Sequence, residues 1–389
     1  MNKQENTSPK RSLSALREEF PIFREKIYIN SCSYGALSHH VRAAFSSYLD
    51  AREAQGSPWP MFVEKLEQAR AQFAAQINAS PDEVAITTSA SQAIGAIATG
   101  VCFDQGRDQV LITDFEFPTS GENWFAQEQR GAKVSIAAPG SSGFVMPEDI
   151  AGQLNEKTAV VAATHVCYRN GFKQDIASVT AAARKAGAIA VIDGFQCLGT
   201  EPLDVKAADL DIYIGGASKY MLATSGLCFM YVRNALIETI NPLVTGWFAQ
   251  SDIFAMDHRK NEFANTARRF DSGTPSNVNI MAGIAGMDLI EEAGLAEIRS
   301  HVVGLNDRLK KGVRDLQGRC SSPDDANWHG AMITIKSIDE NALVAALESE
   351  GIITSCRDGN LRISAHLYNN EQDIEAVLQA LEKNRRLLA

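Results

Sequence analysis

Short apolar runs, rich in β-branched residues, alternate with longer amphipathic stretches from about Val84 to Tyr231. Such runs stand at Val84, Val110, Lys133 to Ala137, Ala159, Ala188 and Ser225 to Tyr231, and most lack polar alternation. They predict strands buried on both faces, joined by helices over Ala93 to Gly100, Gly121 to Arg130, Pro147 to Leu154 and Val179 to Ala186. The repeated order strand, helix, strand predicts an α/β fold with a mostly parallel sheet covered on both sides. Upstream, a helix is expected from His40 to Glu53, and a second from Met61 to Ile77 after the breaker cluster Gly56-Ser-Pro-Trp59-Pro. Leu13 to Phe20 reads as a short helix, Phe23 to Ile29 begins the ordered body, and the polar opening through about Arg11 is expected to be disordered. Downstream, Asn279 to Glu297 is strongly helical and is followed by a long helix to about Leu316. Strands at Met332, Ile352 and Leu361 then alternate with helices at Glu340 and Glu371, predicting a smaller α+β lobe that also collects the N-terminal segment. The expected division is 1–44 with the small lobe, 45–290 as the large domain and 291–389 as the small domain.

The candidate chemistry sits at two strand ends. Ala188-Ile-Ala-Val-Ile-Asp193 places an acid where a buried strand stops, and Asp209 to Gly216 leads through small residues into Ser218-Lys219. Ligands of α/β sheets bind at such ends. The pair is either a structural ion pair or the core of a pyridoxal phosphate (PLP) site. In the latter a desolvated lysine forms a Schiff base and a buried aspartate keeps the pyridine nitrogen protonated. Val84-Ala-Ile-Thr-Thr-Ser89-Ala90-Ser91 runs from a strand into a helix start, where unpaired amides and the helix dipole suit a phosphate. Ser91 is read there as both N-cap and phosphate donor, with Ala90 beside it.

Asp193-Gly-Phe-Gln196, Gly199-Thr-Glu-Pro-Leu-Asp204 and Ser218-Lys219 together resemble the class V aminotransferase family of fold type I PLP-dependent transferases. That family includes cysteine desulfurases, kynureninases and isopenicillin N epimerase-like proteins. The resemblance runs from about Ile27 to the C-terminus. It implies that Lys219 carries the Schiff base, Asp193 faces the pyridine nitrogen, Gln196 lies near the phenolic oxygen and Ser218 donates to the phosphate. It further implies that Phe117 stacks on the cofactor ring, as in kynureninases, and that the Thr164 hydroxyl lies near the cofactor. Thr245-Gly246-Trp247 resembles a kynureninase stretch that reaches the partner's cofactor, with a buried tryptophan as the alternative. Arg269-Phe-Asp-Ser-Gly273-Thr274 resembles the desulfurase pattern in which the threonine serves the neighbouring subunit's phosphate. A homodimer with shared active sites is implied. Arg362 matches the arginine that clamps the substrate α-carboxylate, for which a planar guanidinium is suited. Asn30 and Tyr34, in an early polar loop, are expected substrate contacts. His165 reads as a satisfied core histidine.

Composition narrows the partners. The chain has 389 residues, 45% of them hydrophobic, and a net charge of −10 with no concentrated basic face, which argues against nucleic acid. Seven scattered cysteines without CxxC spacing indicate neither a disulfide framework nor a metal site. No apolar run approaches a membrane span and no signal-peptide core opens the chain, so a cytoplasmic location is expected. The resemblance implies a small-molecule amino acid as substrate. A lyase-type reaction, β-elimination or Cβ–Cγ cleavage through a Cα carbanion, is preferred over transamination, and a non-catalytic PLP-binding protein is a further alternative. By the resemblance, desulfurases carry a nucleophilic cysteine in a loop after the small-lobe arginine, but Arg357-Asp-Gly-Asn-Leu-Arg362 is too tight to contain such a loop, so no protein persulfide is expected.

Overall fold

The computed structural model describes residues 11–103 and 106–389. The opening segment expected to be disordered lies outside the described residues, except Arg11, which pairs with Glu19 and Glu292. The strands are β1 (Ile27–Tyr28), β2 (Val84–Thr87), β3 (Gln109–Thr113), β4 (Lys133–Ala137), β5 (Thr158–Thr164), β6 (Ile189–Asp193), β7 (Ile212–Gly216), β8 (Cys228–Val232), β9 (Met332–Lys336), β10 (Ile352–Ile353), β11 (Ser355–Arg357) and β12 (Asn360–Ser364).

Among the described residues the large sheet has seven strands in the order β2-β8-β7-β6-β5-β3-β4. Pairing is parallel from β4 through β7 and antiparallel only where β8 joins β7 and β2. All seven residues of β5 are buried, because helices cover both faces. Successive side chains go to opposite cores: Val161, Ala163, Ala190, Ile192 and Tyr213 pack on one face, and Val160, Ala162, Val191, Ile212 and Ile214 on the other. Neither face can therefore accept a polar residue until the strands end.

The smaller lobe has its own core, in which Ile333, Leu361 and Ile363 meet Leu305 and Leu309 of the helix Leu295–Asp315. Ile29 joins that core, and β1 pairs in parallel with β10 through Ile27↔Ile352. The helix expected over Asn279 to Glu297 divides at Gly294, whose φ of +82° is left-handed and favours glycine. A buried ion pair, Arg70–Asp271 at 2.8 Å, holds the segment before Gly273 against β2, with Asp271 also accepting the Ile86 amide. Among the described residues no helix is long and apolar enough to cross a membrane.

Candidate active site

The site follows from three parallel strands ending side by side. Register pairs Thr164 with Asp193 and Asp193 with Ile214, and the chain leaving β7 delivers Ser218 and Lys219 into the space beyond. Gly194 makes this possible, since a Cβ there would lie 2.1 Å from the Tyr213 hydroxyl. Gly35 is equally constrained. A Cβ on it would meet the Lys219 carbonyl at 2.4 Å, and its amide donates to the Ser218 carbonyl at 2.8 Å. The loop Asn30 to Gly35 thus lies directly on the backbone that carries the lysine.

A cavity of about 240 Å³ opens there, with Ala90, Ser91, Phe117, Thr164, Asp193, Gln196 and Lys219 in its wall. The Lys219 amine sits 4.5 Å from the Phe195 ring centre and 5.7 Å from that of Phe117. Burial lowers its pKa against an opposing pull from Cys32 and Asp193, and the Arg362 charge adds to the lowering. Asp193 is buried, one carboxylate oxygen accepts the Phe195 amide at 2.8 Å, and burial raises its pKa. Among the described residues neither group has an ion-pair partner within 4 Å, so the structural ion pair is not formed. Amine and carboxylate face one cleft without a direct ion pair.

Ser89, not Ser91, caps the helix Ala90–Gly100. Its extended backbone lets its hydroxyl accept the Gln92 amide at 3.2 Å, which places Ser91 inside the first turn. The Ser91 hydroxyl donates instead to Thr119 at 3.4 Å. First-turn amides such as those of Ala90 and Ser91 have no helical carbonyl to bind. Thr164 donates to the Val166 carbonyl, and Gln196 donates to the Cys32 carbonyl while its buried Oε1 has no partner among the described residues. Ser218 is buried beside the cavity without lining it. His165 is a core residue: Nδ1 meets the Tyr213 hydroxyl at 2.8 Å, and burial pushes its pKa down to about 3.

Arg362 is 5% exposed on β12. It donates to the Ser355 hydroxyl at 2.9 Å, to the Ser33 hydroxyl at 3.1 Å and to the Tyr168 carbonyl at 3.2 Å. No carboxylate within 4 Å pairs with it among the described residues. Asn30 supports this arrangement, since its Oδ1 accepts from Ser355 at 2.7 Å, while the Tyr34 hydroxyl bonds Thr224 and the Ser225 amide. Trp247 and Thr274 do not line the cavity; Trp247 packs edge-on against Trp59, and Thr274 lies exposed. Sequence reading missed Ser33 and Ser355, whose only sequence signal is their place in polar turns or at strand ends, and left the part played by Tyr168 open.

The sequence model of the family described as aminotransferase class-V matches residues 39–377. The chain belongs to that family. An uncharacterized aminotransferase, YcbU of Bacillus subtilis, is 28% identical over 94% of this chain and 96% of its own length. A probable cysteine desulfurase of Methanothermobacter thermautotrophicus is 25% identical over 95% and 97%. The fold is similar to that of an apo cysteine desulfurase from Thermococcus onnurineus, with a TM-score of 0.86 at 21% identity, covering 98% of this chain and all of that one. The chain is a PLP-dependent class V aminotransferase-family enzyme of fold type I.

The residues present fit that cofactor. A buried carboxylate without a cation, an amine without an anion, a buried amide oxygen without a partner and free first-turn amides border one cavity. A molecule with a protonated ring nitrogen, an aldehyde, a ring hydroxyl and a phosphate supplies what they lack.

One further acid stands at this family site. Glu116, next to Phe117, accepts from the Thr113 hydroxyl at 2.8 Å, while its enclosed Oε2 has no partner among the described residues. Burial first, and then the Asp193 charge, push its pKa from 4.5 up to about 7. A carboxyl whose folded pKa is raised adds stability below its unfolded pKa and loses it as pH rises through the folded value. Glu116→Gln is therefore expected to raise the apoprotein melting temperature relative to wild type at pH 8 and to leave it unchanged at pH 4. An equal effect at both pH values would contradict the assignment.

Proposed function

We propose that this enzyme cleaves a bond at the β-carbon of an α-amino acid, by β-elimination or Cβ–Cγ cleavage, without a protein persulfide. The observation that carries the reading is Arg362, a buried guanidinium held only by hydroxyls and a carbonyl. A buried cation lacking an acid costs several kcal/mol, on the order of 3–5, when its partner is missing, so the site is complementary to an anionic ligand. A carboxylate is the planar anion that a guanidinium fork matches.

PLP, when bound, supplies an electron sink for charge developing at the substrate α-carbon. Lys219 would hold it covalently, Asp193 its ring nitrogen, Ala90, Ser91 and Ser218 its phosphate, Gln196 and Thr164 its oxygen substituent, and Phe117 its ring face. Arg362 orients the substrate by its α-carboxylate. Lys219, with its pKa lowered, takes the α-proton, because Phe117 has no proton to exchange.

The turn that would house a nucleophilic cysteine argues against a persulfide. Arg357 pairs with Asn360 across β11 and β12, so only Asp358 and Gly359 lie between, and the Cys356 thiol is 3.5 Å from Asn341. Transamination is the second reading, favoured by the similarity to YcbU. Incubation with a panel of β-substituted L-amino acids separates them: the lyase reading expects pyruvate or alanine with the released β-group, and no added sulfur in the protein mass after L-cysteine. Exclusive formation of keto acid with loss of the bound aldehyde would establish transamination instead. The same amines lacking the α-carboxylate should bind at least about 100-fold more weakly.

The homodimer belongs to this proposal. Leu243, Val244, Phe254 and Met256 are 63–73% exposed in the segment that carries Trp247, and Thr274 is exposed nearby. A second copy covering that surface would bring both residues toward its partner's cofactor. A monomeric mass by analytical ultracentrifugation of the holoenzyme would remove this part.

A further inference from the structure

We infer that the Tyr168 hydroxyl is the acid that protonates the departing β-group. The inference rests on the lyase reading. An elimination needs two proton-handling groups: one to accept the α-proton and one to neutralise the leaving group. Among the described residues, three ionisable side chains line the cavity: Lys219, Asp193 and Tyr168. Lys219 is assigned the α-proton, and Asp193, tied to the Phe195 amide, is assigned the ring nitrogen. Glu116 and Cys32 do not line the cavity, and a guanidinium such as Arg362 does not give up its proton. Tyr168 remains.

Its position suits the task. The ring stands edge-on to Phe117, with centroids 5.0 Å apart and planes at 75°, so the expected cofactor-facing ring also fixes Tyr168. Its backbone carbonyl accepts from Arg362, which ties the Tyr168 main chain to the group that would orient the substrate. Among the described residues its hydroxyl makes no hydrogen bond, so no protein group competes for its proton. Burial raises its pKa, with Arg169 partly opposing, and the phenol keeps its proton at neutral pH.

The step balances. The Lys219 amine takes the α-proton, and the electron pair of that C–H bond becomes the second bond between Cα and Cβ. The Cβ–X bond breaks, X departs with its electron pair and receives the phenol proton, the phenolate regains a proton from water, and the Lys219 ammonium gives the α-proton to the hydroxide left behind. The resulting enamine hydrolyses to a keto acid and ammonia.

Tyr168→Phe removes the hydroxyl while keeping the ring against Phe117. The apoprotein of this variant, titrated with PLP, is expected to bind within about threefold of wild type, because no cofactor contact is assigned to the hydroxyl. Rates would then be compared across β-chloro-L-alanine, O-acetyl-L-serine, S-methyl-L-cysteine and L-serine. Chloride leaves without a proton, so its rate should change little, whereas the thiolate and hydroxide substrates should lose about 100-fold or more. An equal loss across the panel, or weakened PLP binding in the variant, would overturn the assignment to Tyr168 and leave the lyase reading standing. A wild-type enzyme that eliminates no member of the panel would overturn both.

Discussion

Lys219→Ala is expected to abolish the visible absorption of the Schiff base and to lower turnover by at least about 1,000-fold, because one side chain performs two tasks. In the proposed mechanism it would both anchor the cofactor and take the α-proton, in a cavity where Phe117 supplies only a ring face. The amine lies half-buried with no ion-pair partner among the described residues, and its lowered pKa raises the fraction present as free base. The loss therefore falls on kcat more than on KM. The apoprotein should still fold, since Lys219 makes no structural ion pair, and a small primary amine added to the variant should restore part of the rate. Turnover within tenfold of wild type would show that another group is the base.

Asp193→Asn carries the second large effect, and its sign differs between the two forms of the protein. Asparagine fills the same space and can still accept the Phe195 amide, but it carries no charge to hold a protonated ring nitrogen. Removing one preorganised electrostatic partner from a buried site typically costs about 100- to 1,000-fold in kcat. In the apoprotein the effect reverses. Burial raises the Asp193 pKa against the smaller opposing effects of the Phe195 amide and the Lys219 charge, so ionisation costs stability as pH rises through the folded pKa. The variant apoprotein should melt above wild type at pH 8 and level with it at low pH, while PLP raises its melting temperature by less. A kcat within tenfold of wild type, or a less stable variant apoprotein at pH 8, would contradict the role given to Asp193.

Much of this arrangement was legible because strand ends are local features. The apolar runs ending at Asp193 and Gly216 mark where a buried strand stops, and in a parallel sheet neighbouring strands stop on the same side. The convergence of Asp193, Thr164 and Lys219 follows from that. The antiparallel placement of β2 beside β8 was not legible, since their residues lie far apart in sequence and an apolar run does not state its partner. The cap at Ser89 was misread as Ser91 because two serines two positions apart offer the same chemistry, and only backbone angles choose between them. The clamp around Arg362 draws on Ser33, Tyr168 and Ser355, three separate stretches that no spacing rule connects. No local pattern marks Tyr168, and its value emerges only once Phe117 and the cavity stand beside it.

Reduction of the holoenzyme with borohydride, followed by proteolysis and mass spectrometry, tests the central claim most directly. A single phosphopyridoxyl group on Lys219 is the predicted result. The same group on a different lysine, or no covalent adduct in a preparation that retains PLP, would contradict it.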